Sequence, residues 1–322
     1  MKKPLLIYYA SLNYTQENRE LLARNFEVVE IADPREDTPE LLARAEAILA
    51  PLGHRCGRDK INAAPGLKVI GSNTTGHPHI DVEYARSRGI AVVTLKDHQD
   101  FLDTITPTSE LTFGLIIALT RKMLPAAQSV LAGRWERWPF GGQAMLSRMR
   151  LGVIGLGRLG RKVAHYGKAF GMTVRYNDPF VENDDYERVE SLVDLAAVSD
   201  VLTLHVPHEP ETERMIGQDV FAALPRGSWF VNTSRGELVD EAALLAALES
   251  GYLGGAATDV LDGEFVPDFS ARAGEHPLVR YAKSHDNLII TPHIGGSTRD
   301  AWHLTQEYTV LKMIEALGLP VR

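Results

Sequence analysis

A chain in which short apolar runs alternate with helix-forming segments can bury those runs only as parallel strands, because each crossing helix returns the chain to the same strand direction. This sequence does so in two successive series. The first comprises LLIYY (5–9), FEVVEI (26–31), AILA (47–50), LKVIGS (67–72) and IAVVTL (90–95), with segments such as TPELLARAEA (38–47) carrying helical spacing between them. The second comprises LGVIG (151–155), MTVRY (172–176), DVLTLHV (200–206), GSWFVN (227–232), GGAATDV (254–260) and NLIIT (287–291). Between the series lies TPTSELTFGLIIALTRKML (106–124), apolar on every side, which reads as one long, mostly buried helix joining two units. The stretch 297–318 has Ser and Thr at its start and Gly318 after its last turn, as a capped helix does. If that helix packs on the first unit, the chain crosses between units twice, near 98–105 and 292–298. The expected architecture is therefore α/β, with two doubly wound parallel-sheet domains, the second inserted into the first: residues 1–101 with 295–322, and residues 102–294. No fixed-period repeat or low-complexity tract interrupts this pattern.

Composition limits what such a chain can bind. Its 322 residues suffice for two filled cores, and 44% hydrophobic with 24% charged content is ordinary for a soluble protein. A net charge of −8 gives no general basic field for nucleic acid or anionic membrane, so an anionic ligand must be held by local positive groups. Cys56 stands alone, so neither an internal disulfide nor a multi-cysteine zinc site can form. The apolar run Leu5–Tyr9 is shorter than a signal sequence requires, and no run reaches membrane-spanning length. A cytoplasmic location is expected.

The first chemical motif is Gly155-Leu156-Gly157-Arg158-Leu159-Gly160, which follows an expected strand and opens an expected helix ending at Gly171. In a Rossmann domain the first such glycine makes the tight turn, the second lets backbone approach a pyrophosphate, and the third lets helix pack on strand. Asp178 follows the last glycine by eighteen residues, at the end of MTVRYND, where an acid binds the adenosine ribose hydroxyls and repels a 2′-phosphate. The cofactor expected is NAD.

Three further groups fall at strand ends. Arg235 lies in a Ser-Arg-Gly turn after GSWFVN and before a helix framed by Asp240 and Gly251; its planar fork suits a carboxylate. Asp259 ends GGAATDV, and Glu264 follows it. In NLIITPHIGGST (287–298), His293 stands where a buried strand gives way to Gly295-Gly296, either as a reactive group or as a cap.

With GLGRLG and Asp178, the segments HVPHEPET (205–212), VNTSRGELVDEAAL (231–244), TDVLDGE (258–264) and TPHIGGST (291–298) resemble the D-isomer-specific 2-hydroxyacid dehydrogenase family in order and spacing. GLKVIGSNTTGHPHIDVEYARSRGIAVV (66–93) is similar to the family's substrate loop and following helix. The resemblance implies hydride transfer between NAD(H) and a small 2-keto or D-2-hydroxy acid. Arg235 would bind the substrate carboxylate, His293 would give and take the proton, and Glu264 would orient the imidazole and stabilise its protonated form. It also implies cofactor contacts at His205, Val206, Pro207, Thr212, Thr233, Ser234, Arg235, Asp259, His293, Gly295 and Gly296, with substrate contacts at Thr74, Thr75 and Gly76 and domain closure over the site. A homodimer built around the cofactor domain is implied too, with Trp135 and Trp138 as contact aromatics. His77 and His79, separated by Pro78, lack a clear third ligand, and no metal is expected.

Two departures qualify the resemblance. The connection 262–287 is longer than the family's short Glu-Pro-rich one, as a flap or a subunit contact would be. Phosphoglycerate dehydrogenases of the family commonly carry phosphate-binding arginines where this chain has Ser72 and Pro51, so an unphosphorylated acid is expected unless His54, Arg55 or Arg58 replaces them. A reading of another class is a dinucleotide-sensing interaction protein, like the family's corepressor branch; the lack of long disordered tails weighs against it. A relative with an added regulatory module is disfavoured because the chain ends soon after the 298–317 helix.

Overall fold

The computed structural model describes residues 2–51, 53–77, 79–96, 98–266 and 268–322; Met1, Leu52, Pro78, Asp97 and Pro267 lie outside the described residues, and with Pro78 goes the reading of the 77–79 pair that rested on it. The chain divides into two compact units: residues up to Ile105 with Thr298–Arg322, and Thr106–Ser297. No helix among the described residues is long and apolar enough to cross a membrane.

In the first unit, β1 (Leu5–Tyr9), β2 (Glu27–Ile31), β3 (Ala47–Leu49), β4 (Val69–Gly71) and β5 (Ala91–Val93) form a parallel sheet of order β2-β1-β3-β4-β5. Strand periodicity divides the apolar residues between two cores. Leu5, Ile7, Tyr9, Ile48 and Ile70 face one, with Ile61 and Ile80. Leu6, Tyr8, Leu49 and Val69 face the other, where the helix Arg299–Ala316 contributes Val310, Met313 and Ile314. Gly71 lets that helix approach, since a Cβ there would overlap the Met313 sulfur.

The second unit is a seven-stranded parallel sheet. Its strands are β6 (Arg150–Ile154), β7 (Thr173–Asn177), β8 (Glu187–Arg188), β9 (Val201–Leu204), β10 (Trp229–Asn232), β11 (Gly255–Thr258) and β12 (Leu288–Ile290), in the order β12-β11-β10-β9-β6-β7-β8. The order reverses beside β6, which is the Rossmann switch point where ligands collect beyond the carboxyl ends of the strands. The run 106–124, expected as one helix, forms two, Pro107–Thr120 and Met123–Leu131, broken at Lys122, whose φ of +50° is left-handed. The β8 strand carries no apolar run and was not expected.

Candidate active site

The glycine loop begins where β6 ends. Gly155 has φ +82°, and a Cβ on it would stand 2.6 Å from the His205 carbonyl oxygen. Gly160 lies inside the helix Arg158–Ala169, where a Cβ would overlap the Gly155 carbonyl oxygen. Gly157 differs: its φ of −69° suits any residue and a Cβ would meet nothing within 4 Å. Packing within the protein therefore requires the first and third glycines, whereas the second leaves bare backbone at the start of a 12-residue helix, as a pyrophosphate seat needs. Arg158 and Leu159 begin that helix.

Asp178 is buried after β7. Its Oδ2 accepts the Leu156 N–H at 2.7 Å, and Oδ1 accepts those of Phe180 and Val181 at 2.8 and 3.0 Å. The acid is thus tied to the glycine loop. After β9, His205 Nε2 lies 3.0 Å from Thr203 Oγ1, while its Nδ1 is buried without a partner and burial holds the imidazole well below its ordinary range. Val206 and Pro207 follow it, and Thr212 braces this turn by donating to the Pro207 carbonyl and accepting the Glu209 N–H.

After β10, Thr233 Oγ1 meets Thr112 Oγ1 at 2.7 Å and Ser234 donates to the Leu204 carbonyl at 2.7 Å. Arg235 is held by its backbone, the carbonyl accepting from Asn232 Nδ2 at 2.8 Å. The guanidinium donates to the Ser234 carbonyl and has no acid partner among the described residues. An uncompensated, geometrically fixed fork at a strand end is suited to an incoming carboxylate.

Asp259, buried at the end of β11, organises the following turn. Its Oδ1 accepts from Thr291 Oγ1 and the Ile294 N–H, and Oδ2 from the Gly295 N–H at 2.7 Å. Its carbonyl accepts the His293 N–H at 2.8 Å. Gly295 approaches closely enough that a Cβ would lie 3.0 Å from Oδ2, whereas Gly296 has open space around it. His293 is left-handed, with φ +52°. Its Nδ1 lies 2.9 Å from Glu264 Oε1, with the histidine side chain 33% exposed and the glutamate 11%. Nδ1 is occupied by the carboxylate, so Nε2 is the ring position left for other chemistry.

The first unit carries its own hydroxyl cluster after β4. Ser72 Oγ meets Thr74 Oγ1 at 2.9 Å and His79 Nε2 at 3.1 Å, and Thr74 donates to the Gly76 carbonyl at 2.7 Å. Burial pushes the His79 imidazole down to about 4, so its near-neutral role is a hydrogen bond without charge. Thr75 lies in the same loop. Sequence reasoning passed over Ser72 and His79 as a linked pair, and also Gly236, Glu241 and His276, because backbone approaches between distant segments leave no local signal. A cleft of about 470 Å³ behind Glu264, lined by Leu124, Gln128, Phe269 and His285 among others, includes neither Arg235 nor the glycine loop. The open glycine and the Arg235 fork lie instead at the strand ends.

A Rossmann sheet with a ligand-ready glycine loop, a buried acid after the second strand and a histidine–carboxylate pair at the same edge defines a nicotinamide-dinucleotide-binding protein. Two family models match: D-isomer specific 2-hydroxyacid dehydrogenase, NAD binding domain, over 113–295, and the catalytic domain of the same enzymes over 6–102. The chain belongs to the D-isomer specific 2-hydroxyacid dehydrogenase family. It is 37% identical over 272 residues to the D-3-phosphoglycerate dehydrogenase of Methanocaldococcus jannaschii, which covers 83% of this chain and 49% of that protein. The chain spans about half the length of the curated relatives it matches. A D-lactate dehydrogenase from Aquifex aeolicus, solved with NAD and lactic acid, superposes with a TM-score of 0.81 at 29% identity, covering 98% of this chain and 95% of that one. An NADPH-dependent glyoxylate/hydroxypyruvate reductase from Sinorhizobium meliloti, in complex with NADP and malonate, gives 0.80 at 26%, covering 99% and 95%.

Proposed function

We propose that the chain interconverts a 2-keto acid and its D-2-hydroxy acid, with His293 as general acid and base and Arg235 holding the substrate carboxylate. The observation carrying this reading is the 2.9 Å contact of His293 Nδ1 with Glu264, which directs Nε2 to be the proton-transferring atom. NAD(H), when bound, supplies or accepts the hydride. Protonated His293 gives its proton to the carbonyl oxygen as negative charge grows there; neutral His293 takes it back from the hydroxyl. Arg235 fixes the carboxylate and polarises the adjacent carbonyl. Asp259 serves through the turn it holds, and Thr74, Thr75 and Gly76 form the substrate-binding loop of the first unit.

Asp178 favours NAD, since its carboxylate would repel a 2′-phosphate. For the substrate, Ser72 and Pro51 replace phosphate-binding arginines. Of the nearby basic residues, Arg58 is already paired with Asp81 at 3.2 Å and Lys60 with Asp37 at 2.5 Å. An unphosphorylated acid such as glyoxylate or hydroxypyruvate fits this better than 3-phosphohydroxypyruvate. A homodimer is supported by Trp135 and Trp138, which stand 89% and 79% exposed, and a cytoplasmic setting by the single, buried Cys56.

A panel of 2-keto acids assayed with NADH and with NADPH tests the reading. Hydroxypyruvate with NADH should give the higher catalytic efficiency. An advantage for 3-phosphohydroxypyruvate would move the substrate assignment to the loop of His54, Arg55 and Arg58. Equal efficiency with the two cofactors would remove the role given to Asp178, and no turnover with any acid would favour a dinucleotide sensor.

A further inference from the structure

The long 262–287 connection folds onto the second unit. The short helix Pro277–Ala282 places Leu278 and Tyr281 in the core with Leu244, Leu248, Leu261 and Leu288. The residue preceding that helix, His276, is thereby set against Glu241, the first residue of the helix Glu241–Glu249. His276 Nε2 lies 3.1 Å from Glu241 Oε2, with the side chains only 13% and 17% exposed. The other ring nitrogen of His276 is buried without a hydrogen-bond partner, so the close approach to Glu241 is the imidazole's one contact with a charged side chain among the described residues. Glu241 Oε1 accepts the Asp262 N–H at 3.0 Å. The Leu261–Asp262 peptide also lies against Gly236, where a Cβ would overlap the Asp262 nitrogen and the Leu261 carbonyl carbon. Two residues beyond Asp262 stands Glu264.

We propose that Glu241 and His276 are a positioning pair for the His293–Glu264 dyad. His276 fixes one carboxylate oxygen of Glu241, the other fixes the Asp262 peptide against Gly236, and that peptide sets where Glu264 presents its carboxylate to His293. The device rests on the reading of His293 as the proton-transfer group. It needs both arms because Gly263, with φ +76°, gives the loop a point at which to turn away. The charged groups facing Glu241 are Glu237, Asp262 and Glu264, with Arg214 3.8 Å from Asp262. Burial pushes Glu241 up to about 7 and holds His276 below its ordinary range, so near neutral pH the close contact is not one between two full charges.

Glu241→Ala in the full-length protein is expected to speed hydrogen exchange at Asp262 and Glu264 and to lower kcat at least tenfold, with KM and NADH affinity within about twofold. In a Glu264→Gln background the same substitution should cost nothing further, because its effect runs through Glu264. His293 imidazole resonances, followed by NMR over pH, should move in Glu241→Ala towards the curve of Glu264→Gln. If Glu241→Ala does not fold, His276→Ala removes one arm only; a loss of about threefold, again absent in the Glu264→Gln background, is expected. Losses that multiply in the double variants, or a His293 titration unchanged by either substitution, would overturn the proposal. Exchange and NMR read the pair without turnover, so a wild-type protein inactive on every keto acid would count against the catalytic reading alone.

Discussion

His293 occupies a backbone region that side chains enter at a cost of about 1–3 kcal/mol. Asp259 maintains it there, its carbonyl taking the His293 N–H and its carboxylate the next two. Asparagine tolerates this conformation, so His293→Asn separates chemistry from strain better than alanine does. Both His293→Asn and His293→Ala should cut turnover by about 10²–10⁴-fold with NADH binding near normal; turnover within a few-fold of wild type would make the residue structural. Arg235→Lys replaces a planar fork with a point charge, so the KM for the keto acid should rise and kcat fall. Unchanged kinetics would place the carboxylate elsewhere. His293, Glu264 and Arg235 could be singled out because each stands in a segment whose order and spacing match a family pattern. Gly236 could not, since its neighbours in space, Leu261 and Asp262, lie on a different strand's loop.

At the scale of elements, the strand-end loops after β10 and β11 approach closely at Gly236. Gly236→Ala should displace the Leu261–Asp262 peptide, destabilise the protein by about 1–3 kcal/mol and lower kcat. Full activity with unchanged melting would show that the loops accommodate the extra methyl. Glu241 and His276 make stability depend on pH with opposite signs. Glu241 is raised from the ordinary glutamate value to about 7, so its contribution is fully present below that ordinary value and lost as pH rises to about 7. His276 is depressed, so its contribution is present above the ordinary imidazole value and lost as pH falls. From pH 5 to 8 wild type should therefore lose a few degrees of Tm relative to Glu241→Gln; a constant difference would refute this. The major strands were legible because buried parallel strands are continuous apolar runs. The two-residue β8, Glu187–Arg188, has no such run, and the break at Lys122 arises from one left-handed residue inside a sequence of good helix formers.

For the molecule as a whole, Leu131, Trp135, Trp138 and Met145 are large apolar side chains left exposed within a short span of the chain. Light scattering should report a dimer in solution, and replacing Trp135 and Trp138 together with serine should yield a monomer or a markedly weaker dimer. A wild-type monomer would assign these aromatics another role. The terminal helix falls in the same unit as the first series of strands; which residues it buries could not be read from the sequence, because nearly all its faces carry apolar side chains. That helix has a consequence for biosynthesis. One core of the first unit is closed by Val310, Met313 and Ile314, which leave the ribosome some two hundred residues after β5. The Rossmann unit is contiguous and can fold during translation, while the core of Leu6, Tyr8, Leu49 and Val69 still lacks its last helix. Strands made before the Rossmann unit thus complete their core after it, and a nascent chain stalled before residue 299 should be the form that chaperones hold longest.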